Sequence, residues 1–292
     1  MKIRKAIIPC AGFGTRFLPF TKSQAKEMLP IIDKPTIEYI VKEAIDSGIE
    51  EILIIIRVGK NNIANHFNRN LELEHFLEEK NKLSELELIS EKYNATIYYQ
   101  MQEEQLGLGH AISLAKDFIK NEPFAILLGD DLFKCKIPAI KQLIDVYDKY
   151  HQNVLGTIYI DKQDSKKYGI CKVKQISNDI YKVDSVIEKP SVEVAPSNIA
   201  IGGRYVLLPE IFKYLDMHIK GKSGEIELTD SILKTINESN CYAKIIDGSR
   251  YDIGNKIGYL DAILDFGLER EDLKDQFLNL IETKIQKPST SN

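Results

Sequence analysis

Three short stretches of this chain are apolar at successive positions rather than alternate ones: Ala6-Ile7-Ile8, Glu51–Ile56 (EILIII) and Phe124–Leu128 (FAILL). A strand that is apolar on both sides must be covered on both faces, which is the condition of strands inside a parallel sheet flanked by helices. Between the first two runs, Tyr39, Ile40, Ala44 and Ile45 recur at helical spacing, and Gly48 stands where a helix C-cap belongs. Strand, helix and strand in that order predict a right-handed parallel βαβ unit. The chain is therefore expected to be α/β.

Further elements follow the same logic. Thr96–Gln100 and Val154–Tyr159 read as strands, and Gly107–Ile119 and Ile137–Tyr150 as helices. From Gly169 to Leu208 strands alternate without long helices, as in a smaller α+β extension, and helical spacing returns over Glu225–Glu238 and Lys256–Leu268. Asn61–Tyr93 is highly charged; its leucines and Phe76 predict two amphipathic helices inserted at the sheet's edge. The last residues, KPSTSN, carry no packing signal and are expected to be disordered.

The loop after the first strand carries the first chemical signal. Pro9 cannot donate to a ladder, so the strand should end near it. Ala11, Gly12 and Gly14 are small enough to let backbone N–H groups approach an anion, and Thr15 adds a hydroxyl. Arg16, Lys22 and Lys26 place three cations just beyond. This is a polyphosphate cradle, but not a Walker A loop, because no Gly-Lys-Ser/Thr follows at the required spacing. Nor is it a dinucleotide fingerprint, since Phe17 stands where a small residue is needed. Gly12-x-Gly14 alone would be an ordinary tight turn.

With Thr15-Arg16-Phe17-Leu18-Pro19 and Lys26-Glu27-Met28-Leu29-Pro30 added, the opening resembles the sugar-nucleotide pyrophosphorylases, and within them the bacterial UTP–glucose-1-phosphate uridylyltransferases. The resemblance continues through Gln102–His110 (QEEQLGLGH), Leu128–Asp131 (LGDD), Glu188-Lys189-Pro190, Gly169, Gly203, Glu225–Asp230 and Asp252–Asp261. It implies a Rossmann-like three-layer α/β/α fold with a mostly parallel central sheet and a smaller sugar-binding extension. The matched blocks imply a nucleotidyltransferase domain over 1–270, with the charged insertion at about 61–93. Residues 271–292 would add a C-terminal helix and the tail. One departure is visible: Ala25 replaces the family's usual proline before Lys26.

By the same resemblance the glycine loop holds the triphosphate, Arg16 and Lys26 act on its phosphates, and Glu27 contacts substrate. Gln102 and Gly107 read uracil, which suits an amide that offers both a donor and an acceptor. Asp130 is a Mg²⁺ ligand, as expected of a carboxylate at the carboxyl end of a central strand, and Asp252 is a second candidate. Asp131 orients its neighbours or meets the sugar nucleotide. Glu188 takes the sugar hydroxyls and Lys189 the sugar phosphate, with Gly169 and Gly203 lining the sugar pocket. His110 is expected to be structural, because no Ser, Cys or paired His accompanies it in sequence.

Composition closes other routes. The 292 residues carry a net charge of −4, which gives no support for nucleic acid as the partner. Four scattered cysteines without a C-x-x-C pair suggest neither a zinc site nor a disulfide framework. No apolar run approaches membrane-spanning length, so a cytoplasmic protein is expected. The expected reaction joins UTP and glucose 1-phosphate into UDP-glucose and pyrophosphate with Mg²⁺ as cofactor, in a homo-oligomer as relatives suggest. The alternatives are a sibling thymidylyltransferase using dTTP, a catalytically silent nucleotide-sugar sensor, and a glycosyltransferase using the aspartate pair. Intact Arg16, Lys26, Asp130 and Lys189 argue against the sensor. A loop built for a leaving pyrophosphate does not suit the glycosyltransferase.

Overall fold

The computed structural model describes residues 1–90, 93–221 and 224–286. Its centre is a nine-stranded sheet with the order β5-β4-β1-β6-β11-β8-β12-β10-β9. In chain order these are β1 (Lys5–Cys10), β4 (Glu51–Arg57), β5 (Thr96–Gln102), β6 (Phe124–Leu127), β8 (Asn153–Tyr159), β9 (Gly169–Gln175), β10 (Ile180–Glu188), β11 (Ile199–Leu207) and β12 (Cys241–Ile245). The pairs β5/β4, β4/β1, β1/β6 and β12/β8 are parallel, and the pairs involving β11, β10 and β9 are antiparallel. The three apolar runs of the sequence are β1, β4 and β6, side by side. Short strands β2 (Pro30–Ile31) and β3 (Lys34–Pro35) form one ribbon, and β7 (Asp131–Lys134) and β13 (Ser249–Asp252) form another.

Two apolar layers cover the sheet, as strands without alternation require. Ala6, Ile8 and Cys10 of β1 pack with buried residues of α1 (Thr36–Asp46) and α7 (Ala139–Tyr150). Ile7 faces the other side, with residues of α5 (Leu108–Ser113), α8 (Phe212–Leu215) and α9 (Leu228–Ile236). The three-layer α/β/α arrangement is thus visible within one strand.

Several boundaries differ from the sequence reading. The charged stretch forms three helices rather than two, α2 (Asn62–Phe67), α3 (Leu71–Glu79) and α4 (Leu83–Ile89). Its apolar residues do not mark the first of these, whose one buried side chain is Ile63. The stretch is the crossover from β4 to the edge strand β5. The helix expected over Gly107–Ile119 is two pieces, α5 and α6 (Lys116–Ile119), because Leu114 and Ala115 break the regular turn while staying in the apolar rhythm. β1 runs one residue past Pro9; β6 pairs with β1 only through Ile7, so the proline sits where one flank of the ladder has already ended. α10 (Lys256–Glu269) is followed by α11 (Lys274–Gln286), with Phe277 packed against Gly267. The tail expected to be disordered, KPSTSN, lies outside the described residues. No helix among the described residues is long and apolar enough to cross a membrane.

Candidate active site

Parallel pairing brings the carboxyl ends of β5, β4, β1 and β6 to one edge, where ligands of open α/β sheets collect. The loop after β1 therefore lies beside the Gly-Asp-Asp turn after β6. A cleft of about 850 Å³ opens there, lined by Arg16, Asp130, Asp131, Gly169, Glu188, Lys189, Gly203 and Asp252 among others.

On the phosphate side, Gly14 takes a left-handed conformation (φ 64°), and its carbonyl accepts from the Phe17 amide and the Thr21 hydroxyl. Ala11 is buried, while Gly12 and Thr15 are exposed. A Cβ built on Gly12 would have only the Lys26 ammonium within 4.0 Å, so the lysine lies along the open face of the loop. Arg16 donates to the carbonyl of Gly254 at 3.3 Å and ties this loop to the turn after β13. Ala25 adopts φ −71°, the value a proline would impose, so its departure from the family pattern leaves the path to Lys26 unchanged.

Lys26 forms an ion pair with Asp130 and lies 4.0 Å from Glu27. Burial works against its ammonium, but the charges of Asp130 and Glu27 outweigh it and hold the pKa above the usual lysine value. Burial likewise opposes ionisation of Asp130, and Lys26 reverses the balance and lowers its pKa. Asp252 lies across from Asp130. Its Oδ1 accepts from the Gly254 amide, and a Cβ built on Gly254 would lie 2.8 Å from Asp130 Oδ2 and 2.9 Å from Asp252 Oδ1. Two carboxylate oxygens, one from the turn after β6 and one from the end of β13, thus face one small volume that Gly254 leaves open. Among the described residues no cluster of three or more His, Cys, Asp or Glu could hold a metal without help. A pair of hard oxygens completed by phosphate and water is the arrangement Mg²⁺ prefers.

Glu27 does not line the cleft. It is 1% exposed, one carboxylate oxygen has no hydrogen-bond partner, and burial pushes its pKa up to about 7 against the pull of Lys26. A carboxyl whose folded pKa lies above its ordinary 4.5 favours the folded state most at low pH, and that contribution is lost as pH rises through about 7. Glu27→Gln should therefore gain in melting temperature over the wild type as pH rises from about 4.5 to about 7. A difference in melting temperature that stays flat over that interval, followed by circular dichroism, would show that Glu27 does not titrate there.

Gln102, expected to meet the base, closes β5 and is 2% exposed, its Nε2 donating to His110 Nδ1 at 2.9 Å. Burial and the nearby His218 lower the pKa of His110, which keeps the ring neutral and able to accept. His110 thus orients the amide, in keeping with a structural role. Gly107 has φ 109°, and a Cβ there would be 2.8 Å from both the Glu225 Cβ and the Ile226 carbonyl, so no larger residue fits. The Ile226 amide donates to the Leu106 carbonyl, and the Gly109 amide to the Ile226 carbonyl, each at 2.7 Å.

Glu188, expected to meet the sugar, accepts from the Thr229 hydroxyl at 2.7 Å and meets Lys189 at 3.2 Å. Gly169 lies against this pair, with Glu188 Oε2 3.2 Å from where its Cβ would be. Gly203 has φ 79°, and the Asp131 carboxylate occupies the place of its missing side chain. Asp131 forms an ion pair with Arg250, which is also 3.1 Å from the Tyr168 hydroxyl. Burial pushes Asp131 up to about 6 despite Arg250.

Arg16, Asp130, Asp131, Gly169, Glu188, Lys189, Gly203 and Asp252 thus line one cleft, with Lys26 joined to it through Asp130, whereas Gln102 and Glu27 are buried, at 2% and 1% exposure, and do not line it. Three contributors carried no separate signal in sequence: Arg250, Thr229, and Lys60, which donates to the Thr21 and Gln24 carbonyls at 2.7 and 2.8 Å beneath the phosphate loop. Arg250 and Thr229 lay inside or beside matched blocks and could have been found there.

With a glycine loop, a lysine and carboxylate cluster and the Glu188-Lys189 pair gathered about one cleft, the fold and site define a nucleotidyltransferase. The chain belongs to the nucleotidyl transferase family, whose family model matches residues 5–267. Within it, similarity at 46–47% identity is to uridylyltransferases, the branch that the sequence resembles. The chain is 46% identical over 284 residues to UTP–glucose-1-phosphate uridylyltransferase 1 of Staphylococcus saprophyticus, covering 97% of this chain and 99% of that one. It is 47% identical over 289 residues to UTP–glucose-1-phosphate uridylyltransferase YngB of Bacillus subtilis, covering 98% and 97%. Among solved structures, a UTP-bound UGPase from Acinetobacter baumannii superimposes with a TM-score of 0.89 at 37% identity, covering 96% of this chain and 99% of that one.

Proposed function

We propose that the protein transfers the uridylyl group of UTP to glucose 1-phosphate, giving UDP-glucose and pyrophosphate. The observation that carries this reading is that Arg16 of the glycine loop, Asp130 with its Lys26 partner, and the Glu188-Lys189 pair meet at one cleft. A phosphate oxygen of glucose 1-phosphate attacks the α-phosphorus in line with the departing pyrophosphate. The nucleophile is already anionic, so no general base is required. Catalysis is positioning and charge stabilisation, as in other phosphoryl-type transfers. Arg16 and Lys26 neutralise the pyrophosphate as it leaves, and Ala11, Gly12, Gly14 and Thr15 hold its oxygens. Lys189 holds the attacking phosphate and Glu188 the glucose hydroxyls, beside Gly169 and Gly203. Asp130 and Asp252 are the residues that would hold Mg²⁺, and that ion, when bound, supplies positive charge to the phosphate oxygens. Asp131, anchored by Arg250, keeps the carboxylate turn in place.

Gln102 and Gly107 set the base. With one amide N–H given to His110, Gln102 retains an acceptor and a donor for the edge of uracil. Gln102→Ala should cost about 1–3 kcal/mol of discrimination between UTP and CTP, because it leaves a base edge unpaired while the phosphate contacts persist. The readout is kcat/KM for each nucleotide with glucose 1-phosphate; an unchanged UTP/CTP ratio would remove Gln102 from base recognition. For the reaction as a whole, pyrophosphate release from each pairing of nucleotide and sugar phosphate decides. UTP with glucose 1-phosphate should be fastest, and faster release with dTTP would assign the enzyme to the thymidylyl branch.

The reading includes a cytoplasmic homo-oligomer. It is supported by half-exposed leucines on the last two helices, Leu260 and Leu264 on α10 and Leu278 and Leu280 on α11.

A further inference from the structure

Arg204 lies in the middle of β11 and is fully buried, at 0% exposure. A guanidinium has five N–H donors, and all five find acceptors here. Nε and one NH2 hydrogen engage Glu43 of α1 in a bidentate pair, at 2.9 and 2.7 Å. The other NH2 hydrogen reaches the Asp131 carbonyl at 2.7 Å. The two NH1 hydrogens reach the carbonyls of Gly203 at 3.2 Å and Leu128 at 3.4 Å. Leu128 and Asp131 are the two ends of the turn that presents Asp130. The middle of that turn is held from the other side, where the Ile253 amide donates to the Asp130 carbonyl at 2.9 Å. Glu43 is itself fixed, because its Oε1 also accepts from the Ile140 amide in the first turn of α7. The register slip of β11 against β8 between Ile201 and Arg204 lets the Gly203 carbonyl turn toward the Leu128 amide, at 2.9 Å.

We propose that Arg204 is a positioning residue for the metal-binding turn, clamping both ends of Leu128–Asp131 so that the Asp130 carboxylate faces Asp252. The inference rests on Asp130 and Asp252 being the Mg²⁺ carboxylates. Lysine cannot replace this residue, since a single ammonium has three donors and no planar fork. Residues behind a metal ligand typically change metal affinity or activity by 10–100-fold when lost.

The test compares wild type, Arg204→Lys, Asp130→Asn and the double variant. Arg204→Lys should raise the Mg²⁺ concentration for half-maximal turnover by about 10–100-fold, with KM for glucose 1-phosphate unchanged. By calorimetry it should weaken UTP binding in the presence of Mg²⁺ and leave binding in EDTA at the wild-type value. Added to Asp130→Asn, it should change the Mg²⁺ dependence of UTP binding, read by the same calorimetry, no further. Equal weakening of UTP binding with and without Mg²⁺, or a lowered melting temperature with a wild-type Mg²⁺ response, would overturn the proposal and leave Arg204 a purely structural residue. A wild-type Mg²⁺ response in Asp130→Asn alone would fail the metal reading itself, a result distinct from either. Should Arg204→Lys not fold, Glu43→Gln keeps the shape of the pair while removing its charge. It should shift the Mg²⁺ response in the same direction, and a wild-type response there would equally overturn the clamp.

Discussion

Asp130→Asn is expected to abolish Mg²⁺-dependent turnover, by about 10³-fold or more, which corresponds to roughly 4 kcal/mol of transition-state stabilisation. The substitution keeps the shape of the side chain and removes its charge. An amide oxygen is a much poorer ligand for a hard cation than a carboxylate oxygen. It also leaves Lys26 without its ion-pair partner, so two charges of the site are disturbed by one change. Asp252 remains as a single carboxylate, too few for the site described here. Turnover measured against Mg²⁺ concentration is the readout. Wild-type activity at limiting Mg²⁺ would mean that the metal sits elsewhere in the cleft.

Lys26→Ala should lower kcat by about 10²–10³-fold, the scale for removing one preorganised charge from a transition state. The lysine lies against the Gly12 face of the phosphate loop and meets Asp130 at its other side. Charge builds on the pyrophosphate only as the bond to the α-phosphorus breaks, so the loss should fall on kcat more than on KM for glucose 1-phosphate. Its neighbour Glu27 should respond as well, since the ammonium that opposes its protonation is gone. Near-normal kcat in steady-state assays of this variant would take Lys26 out of the mechanism.

The layers and the loops were legible because each is written locally. Uninterrupted apolar runs fixed β1, β4 and β6 as buried strands, and small residues followed by cations marked the phosphate loop within about a dozen positions. The Gly129-Asp130-Asp131 turn was readable because it ends such a run. What could not be read is what the fold makes from distant parts. Arg204 and Glu43 are 161 residues apart, and nothing near Glu43 distinguishes it from the other exposed-looking acids of an amphipathic helix. The one local hint was a charged residue inside the apolar run IAIGGRYVL, where a buried arginine demands a partner. The resemblance assigns Glu27 a substrate contact, but the fold buries its side chain at 1% exposure, with its carboxylate 4.0 Å from the Lys26 ammonium. The helix break at Leu114-Ala115 escaped because both residues continue the apolar rhythm.

The two backbone bonds between Leu106–Gly109 and Ile226 have a thermodynamic consequence. They splice the segment that carries Gly107 to the segment that leads into Thr229, whose hydroxyl donates to Glu188. Neither half can shift without dragging the other, and Gly107 has no spare volume in which to absorb a displacement. On the proposed reading, in which these two segments meet the base and the sugar, occupancy of the two ends is energetically linked. By reciprocity, whatever factor a well-seated base adds to the affinity for the sugar, the sugar returns to the base.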